Sequence, residues 1–218
     1  MRENGSTASL AYRPFQPEDA PPLVLASGSS IRRQMLENTG LVFDVEPSSI
    51  DEDAVKAALL RDPNMQAGDL AVLLAEAKAT DVSNRHRGKV IIGADQVLSF
   101  NGALLSKSPN IAKVRRQLLD MAGKTHCLIS ASVLVRDGII LWRRADTVYV
   151  TMRKLSPAFV GAYLAEAGED VLKSVGGYQL EGLGAQLLER IEGDYFTVLG
   201  LPLLPLLDAL RDHAALSS

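Results

Sequence analysis

A short apolar run that turns through small hydroxyl residues into a helix constrains the fold of this chain most strongly. Residues 23–26 are typical of a buried strand, and residues 27–30 form a Ser-Gly-Ser-Ser turn. A helical pattern then opens at Met35 and Leu36 and runs to Gly40. A strand that turns into a helix in this way leaves backbone N–H groups and the positive end of the helix dipole at one place. Such a place suits a phosphate group.

Two arginines stand near the start of this predicted helix. Arg32 and Arg33 bring positive charge to a helix end where it opposes the dipole, and their forked donors suit an anion. Ordinary helix capping is the alternative, because serine and glycine before a helix commonly bind nothing. The stretch contains neither a GxxxxGK phosphate loop nor a G-x-S-x-G nucleophile elbow, so it belongs to neither of these motif classes.

The composition is that of a globular protein and limits the possible partners. The chain has 218 residues, 22% of them charged, and a net charge of −3, which argues against a nucleic-acid-binding protein. Its single cysteine, Cys127, allows no intramolecular disulfide, which fits a cytoplasmic setting. The apolar stretch 198–210 is broken by Pro202 and Pro205 and is too short to span a bilayer, so we expect no membrane contact. Residues 1–22 carry four prolines and predict a flexible leader before a domain over 23–218.

Acidic residues stand at two informative places. Residues 51–53 precede a helical segment, where negative charge favours the helix N-terminus without any further role. Asp95 instead interrupts the strongly apolar run 90–98, which predicts a buried strand. A buried carboxylate has to be capped, paired or functional, and aspartates at strand ends of α/β proteins often face the ligand crevice. We therefore expect Asp95 to have a catalytic or metal-binding role, with a structural role as the alternative.

The rest of the chain alternates between helical and strand patterns. Helices are predicted over 67–84, which contains Lys78, and over 111–121, 157–167 and 202–214. Residues 125–135 and 139–152 predict a hairpin, and strand-like runs follow at 187–191 and 196–199. This alternation predicts an α/β fold with a mixed sheet.

Two further features complete the pattern. His126 has no evident acid or nucleophile partner, which favours a structural role. The glycines of segment 172–184 indicate irregular backbone or close approach to a ligand, and its polar residues Lys173 and Glu181 can face such a ligand.

Four segments, taken in order, resemble the Maf family of nucleoside triphosphate pyrophosphatases, also called septum formation inhibitor proteins. They are residues 25–33 (LASGSSIRR), 92–97 (IGADQV), 105–108 (LSKS), and 177–182 (GYQLEG) together with 200–202 (GLP). The resemblance covers about residues 23 to 211. It implies an elongated mixed sheet like that of the inosine triphosphate pyrophosphatases, with a nucleotide cleft between two lobes. It also implies a homodimer that hydrolyses a nucleoside triphosphate between its α and β phosphates with a divalent metal, either Mg²⁺ or Mn²⁺, of which we expect Mg²⁺.

The resemblance also implies roles for individual residues. Glu52 and Asp95 are the acidic pair that binds the metal, and Asp95 is the base for the attacking water. Arg33 is expected at the surface. The residues implied in holding the triphosphate are Ser27, Arg32, Lys78 and Lys107, together with Lys173 ahead of the glycine-rich loop.

Three positions that the family associates with base selection are Ile31, Gln96 and Glu181. Members of the dTTP/UTP type have arginine, threonine and glutamine there. Gln96 and Glu181 resemble the 7-methyl-GTP type instead, although that type often has a bulky aromatic residue in place of Ile31. A carboxylate at Glu181 accepts hydrogen bonds from guanine N–H groups and suits a cationic methylated purine.

We therefore expect a house-cleaning pyrophosphatase that acts on a modified nucleotide similar to 7-methyl-GTP. A dTTP/UTP or broad-specificity enzyme is one alternative. A non-catalytic, nucleotide-binding regulator of cell division is the other.

Overall fold

A mixed sheet of seven strands organises the fold. The computed structural model describes residues 15–213 and 215–217. The strands are β1 (Leu23–Leu25), β2 (Phe43–Val45), β3 (Val90–Phe100), β4 (Ala103–Leu105), β5 (Thr125–Arg136), β6 (Ile139–Met152) and β7 (Leu188–Glu192). Their order in the sheet is β2-β1-β3-β5-β6-β7, and β4 pairs with β3 outside this path. β1 is parallel to β2 and β3, whereas the longer strands pair antiparallel.

Helices lie against this sheet, as the alternating pattern of the sequence predicts. The α/β class with a mixed sheet is therefore confirmed. Two 3₁₀ helices occupy the glycine-rich region, at Gly168–Lys173 and Leu183–Leu187. The α-helices are α1 (Ser30–Glu37), α2 (Glu52–Leu59), α3 (Ala67–Ser83), α4 (Ile111–Met121), α5 (Pro157–Ala167), α6 (Tyr195–Val198) and α7 (Leu203–Asp212).

Three buried clusters place the middle of β3 between two separate parts of the core. At one end of the long strands, Ile92 packs with residues of α1 and α7. At the other end, Leu98 packs with residues of α4 and α5. The opposite face of the sheet is covered by α3, which contributes Leu70 and Leu74. Asp95 and Gln96 lie between the two ends and, as neighbours in a strand, point to opposite faces.

Gly93 allows α3 to approach β3 closely just before this midpoint. A Cβ atom at Gly93 would lie 2.4 Å from the carbonyl oxygen of Ala75 and 2.7 Å from Cβ of Ala79. Only glycine leaves room for this contact. The close approach brings the α3 residues near Ala79 to the same level as Asp95.

The expectation of a strand at 196–199 is wrong. Residues 196–198 belong to α6, a single helical turn, and Leu199 is its C-cap. Asp194 caps the turn because its carboxylate accepts hydrogen bonds from the backbone N–H and the hydroxyl of Thr197, at 2.7 and 2.9 Å. Gly200 follows with φ at +102°, a backbone conformation that favours glycine. Local capping therefore outweighs the strand preference of a short apolar run.

The N-terminal side of the domain makes its first described contacts at Phe15 and Gln16. The buried side chain of Gln16 donates to the carbonyl of Val42 at 3.2 Å and accepts from its N–H at 2.8 Å. The Phe15 carbonyl accepts a hydrogen bond from the N–H of Ser217 at 2.8 Å. Residues 1–14 of the predicted leader lie outside the described residues, and the division at residue 23 stays a prediction. None of the helices in the described ranges is long and apolar enough to cross a membrane.

Candidate active site

Arg32 joins three segments of the chain at the turn after β1. Its Nε donates to the carbonyl oxygen of Gly200 at 2.8 Å, and its Nη1 donates to the carbonyl oxygen of Ala94 at 3.0 Å and to Ser27 Oγ at 3.2 Å. Ser29 caps the helix and accepts from the N–H of Arg32 at 3.4 Å. The Nη2 group makes no hydrogen bond within residues 15–213 and 215–217. Arg32 is thus buried and fixed, with one donor group still available to an anion.

The charge of this guanidinium is balanced by two carboxylates. Burial lowers the pKa of Arg32, and the negative charges of Asp95 and Glu52 act in the opposite direction. A guanidinium remains protonated at any working pH, so the site contains a permanent positive charge beside two acids. Arg33 differs, since it lies on the surface and its ion pair among the described residues is with Glu37, four residues along the helix.

Lys78 brings the two predicted catalytic carboxylates together. Its Nζ lies 2.7 Å from Asp95 Oδ1 and 2.8 Å from Glu52 Oε2. Lys78 and Asp95 are buried, whereas the Glu52 side chain is 57% exposed. The three residues come from α3, β3 and the first turn of α2. Asp95 is therefore paired, which is one of the three conditions expected of a buried carboxylate, and one of its oxygens remains outside this ion pair. Its catalytic or metal-binding role stays a prediction.

Asp81, which no sequence pattern singles out, anchors the segment that leads into α2. Its Oδ2 accepts hydrogen bonds from Ser48 Oγ and from the backbone N–H of Ser49, both at 2.9 Å, and lies 3.2 Å from Arg85 Nη2. Burial alone would raise the pKa of Asp81, but the hydrogen bonds from Ser49 and Ser48 and the charge of Arg85 lower it. Asp51 then caps α2 by accepting from the N–H of Ala54. These contacts fix the position of the helix that starts at Glu52.

The two remaining predicted lysines are less closely connected with this cluster. Lys107 is exposed in the loop between β4 and α4. The neighbouring Ser106 Oγ accepts a hydrogen bond from Lys56 Nζ of α2 at 2.7 Å, which places the loop beside that helix. Lys173 is exposed and lies 2.5 Å from Asp170, whose hydrogen bond and charge raise the pKa of the lysine. No described contact brings Lys173 to the other predicted residues.

The three predicted base-selecting residues line one cavity. Ile31, Gln96 and Glu181 line this cavity together with Val198 and Leu199 of the α6 region. Arg32 connects this cavity with the charged cluster. It donates to the carbonyl oxygen of Gly200, which follows the cavity residue Leu199, and the charges of Asp95 and Glu52 act on its pKa. The cavity and the charged cluster are therefore adjacent parts of one site.

Buried aromatic contacts support the glycine-rich wall of the cavity. His126 Nε2 and Tyr178 Oη are 2.6 Å apart, and Tyr163 Oη donates to the carbonyl oxygen of Gly177 at 3.0 Å. A Cβ at Gly176 would lie 2.5 Å from the Tyr178 ring, so the backbone of Gly176 packs in contact with that ring. Burial lowers the pKa of His126 to about 4. These contacts agree with the structural role expected for His126.

The carboxylates present suit a divalent cation that also binds the substrate. Within the described ranges, no group of three or more His, Cys, Asp or Glu side chains is placed to hold a metal by itself. Mg²⁺ in nucleotide enzymes usually binds one or two carboxylates and takes further oxygens from phosphates and water. Asp95 and Glu52, which both pair with Lys78, are the two carboxylates that would supply this smaller oxygen set.

Several known proteins are similar to this chain over most of its length. The family of Maf-like proteins matches residues 22–213. The chain is 50% identical over 194 residues to a 7-methyl-GTP pyrophosphatase of Mesorhizobium japonicum, covering 89% of this chain and 97% of the relative. It is 46% identical over 195 residues to a nucleoside triphosphate pyrophosphatase of Granulibacter bethesdensis, covering 89% and 98%. The chain belongs to the Maf-like family.

A third relative gives the same result. The 7-methyl-GTP pyrophosphatase of Brucella suis biovar 1 is 50% identical over 189 residues, which cover 87% of this chain and 94% of the relative. Among solved structures, a dITP/XTP pyrophosphatase of Mycobacterium abscessus overlaps 62% of this chain and 75% of its own, with 15% identity and a TM-score of 0.33. That similarity is too low to establish a common fold.

Proposed function

We propose that this protein hydrolyses a nucleoside triphosphate to the monophosphate and pyrophosphate, with a modified purine nucleotide of the 7-methyl-GTP kind as its preferred substrate. The observation that carries the proposal is the Glu52–Lys78–Asp95 cluster, with ion pairs of 2.8 and 2.7 Å, beside the fixed guanidinium of Arg32. Relatives named as 7-methyl-GTP and nucleoside triphosphate pyrophosphatases, at 46–50% identity over most of the chain, support the same reaction.

The charges of the site suit a triphosphate. A triphosphate carries about four negative charges near neutral pH, so its cleavage depends on charge neutralisation and positioning. Arg32 contributes its Nη2 donors, Ser27 holds the guanidinium from the side of the turn, and Lys78 contributes an ammonium group. Lys107 lies on the exposed loop beside α2. It follows Ser106, whose hydroxyl accepts a hydrogen bond from Lys56 of that helix. We assign Lys173 to the triphosphate from the family resemblance alone.

The carboxylates supply the remaining chemistry. Asp95 is the residue we assign as base for the attacking water, an effect that typically contributes a factor of about 10² to 10⁴ in rate. Its ion pair with Lys78, at 2.7 Å, orients the carboxylate. When a divalent metal is bound, Asp95 and Glu52 would hold it, and the metal would neutralise phosphate charge. We expect Mg²⁺ in this role.

Base selection is assigned to the cavity formed by Ile31, Gln96 and Glu181. The exposed carboxylate of Glu181 can accept hydrogen bonds from the N–H groups of a guanine edge, and its charge favours a positively charged methylated base. Ile31 offers an apolar surface against which a base can lie. The cytoplasmic location and the homodimer stay predictions from the sequence and the family resemblance.

A rate comparison tests this proposal. Pyrophosphate release is measured with 7-methyl-GTP, GTP, UTP and dTTP at equal concentrations in the presence of Mg²⁺. We expect the highest kcat/KM for 7-methyl-GTP. The highest value for UTP or dTTP would overturn the assigned base preference. Nucleotide binding without pyrophosphate release from any of the four would overturn the enzymatic function and favour the nucleotide-binding regulator.

A further inference from the structure

Gln96 is held by three hydrogen-bond acceptors on one side of its amide. Its Nε2 donates to Ser130 Oγ at 2.9 Å, to the carbonyl oxygen of Val198 at 3.0 Å and to that of Thr197 at 3.2 Å. Ser130 lies directly opposite Gln96 in the β3–β5 ladder, whereas the two carbonyls belong to α6. Ser130 and Thr197 are fully buried. The amide is therefore enclosed by groups from two different elements.

The chemistry of these partners decides which end of the amide faces them. A carbonyl oxygen can only accept a hydrogen bond, and the single hydroxyl proton of Ser130 is donated to the carbonyl of Thr197 at 2.7 Å. Ser130 Oγ can therefore only accept from Gln96. An amide oxygen turned toward these three groups would meet acceptors alone, which is costly in a buried place. The NH₂ group must lie there, and the carbonyl oxygen must point away.

We propose that Ser130 is a positioning residue for base selection, because it fixes Gln96 with its carbonyl oxygen toward the base cavity. This inference rests on the function proposed above. Gln96 lines the cavity, and its Oε1 makes no hydrogen bond to any residue in the described ranges. The carboxylate of Glu181 lines the same cavity, so a bound base would face hydrogen-bond acceptors from both Gln96 and Glu181. These acceptors select a base that offers N–H donors, and they disfavour a base edge with an unprotonated ring nitrogen.

The other polar groups of the cavity wall do not oppose this selection. Ser174 Oγ accepts a hydrogen bond from the N–H of Tyr178 at 3.0 Å, which orients it toward the backbone. Gln179 lines the cavity with an amide that no described contact orients, so it can adapt to either kind of base edge. Gln96 is the residue whose polarity is fixed by the protein.

The strand that carries Ser130 also supplies a matched control. Ser132 is two residues further along β5, is fully buried like Ser130, and has a hydroxyl without a hydrogen-bond partner among the described residues. Ser130→Ala and Ser132→Ala therefore remove the same atom from the same face of one strand. Only the first change removes an acceptor of the Gln96 amide.

The experiment compares kcat/KM for GTP, for ITP, which lacks the exocyclic amino donor, and for ATP, whose edge offers an unprotonated ring nitrogen. We expect the GTP/ITP and GTP/ATP ratios to fall about threefold to tenfold in Ser130→Ala, the effect of losing one hydrogen bond. They should stay within about twofold of the wild type in Ser132→Ala. Ser130→Cys keeps the shape of the side chain but replaces the hydroxyl by a larger thiol that is a weaker acceptor, and it should give intermediate ratios. Unchanged ratios in Ser130→Ala and Ser130→Cys would overturn the role of Ser130.

A spectroscopic measurement separates this inference from the proposed function. The side-chain NH₂ resonances of Gln96, assigned from their loss in Gln96→Leu, should show slow hydrogen exchange in the wild type and in Ser132→Ala, and faster exchange in Ser130→Ala. An enzyme inactive on every triphosphate would refute the proposed function, yet these resonances would still report whether Ser130 fixes the amide. Equal exchange in all three proteins would refute the positioning role even in an active enzyme.

Discussion

The ammonium group of Lys78 in α3 lies 2.7 Å from the carboxylate of Asp95 in β3, and both side chains are buried. The same ammonium lies 2.8 Å from Glu52, which is largely exposed. A charge that is shared in this way can lose one partner without becoming isolated. The role of Asp95 can therefore be tested by substitution, because Glu52 still pairs with the buried ammonium group of Lys78.

Asp95→Asn should abolish most of the turnover while the protein stays folded. The amide cannot serve as a base, so kcat should fall by about 10²- to 10⁴-fold. Lys78 keeps Glu52 as its partner, and nucleotide affinity should change little. Single-turnover pyrophosphate release and equilibrium nucleotide binding give the two quantities. Asp53→Asn, an exposed acid beside Glu52, is the control and should keep the wild-type rate. Full activity of Asp95→Asn would exclude the assigned base.

Arg32→Lys tests whether the fork of the guanidinium is required. An ammonium cannot reach Gly200, Ala94 and Ser27 together, so buried acceptors lose their partners. We expect the free energy of unfolding to fall by about 2 kcal/mol and kcat/KM to fall at least tenfold. Arg33→Lys, one residue further and on the surface, should change stability by less than about 0.5 kcal/mol. Chemical denaturation and steady-state kinetics of both variants check this, and equal effects would refute a special role for Arg32.

Gly93→Ala tests the close approach of α3 to β3. The added methyl group would lie 2.4 Å from the Ala75 carbonyl oxygen, so the helix carrying Lys78 has to move. We expect a loss of about 3 kcal/mol or more in the free energy of unfolding, together with reduced activity. Gly68→Ala meets no atom within 4 Å and lies in the same helix, so it should be neutral or stabilising by up to about 1 kcal/mol. Thermal denaturation of the pair measures the difference.

His126 should make stability depend on pH. Its pKa is about 4 in the folded protein and 6.5 without the protein environment, so the unfolded chain takes up a proton first as pH falls. The contribution of His126 is therefore complete above pH 6.5 and is lost progressively as pH falls toward 4. Relative to His126→Gln, the wild type should lose about 2 to 3 kcal/mol in the free energy of unfolding between pH 7.5 and 4.5. Denaturation curves at both pH values measure this, and parallel changes in the two proteins would contradict it.

The sequence predicted most elements because their signals are local. The helix α4 begins and ends at the predicted residues, Ile111 and Met121, between an asparagine cap and a terminating glycine. The hairpin of β5 and β6 was likewise predicted from its turn. The apolar run 196–199 predicts a strand, but this pattern covers only a few residues. Capping by Asp194 outweighs it and gives a helical turn.

The site was only partly predictable, for a different reason. In the pair of Lys78 and Asp95, the position of Asp95 within an apolar run indicates chemistry, whereas Lys78 is assigned to the site by the family resemblance alone. The carbonyls of Ala94 and Gly200 that hold Arg32 leave no trace in residue type, since every residue has one. Ser130 resembles any strand serine until the fold places it opposite Gln96.

Product analysis tests the central claim most directly. The wild-type protein is incubated with 7-methyl-GTP and Mg²⁺, and the phosphorus-containing products are separated by ion-exchange chromatography and identified by ³¹P NMR. We predict equal amounts of 7-methyl-GMP and pyrophosphate, with both absent in Asp95→Asn over the same time. Formation of 7-methyl-GDP and inorganic phosphate, or no product at all, would contradict cleavage between the α and β phosphates by this site.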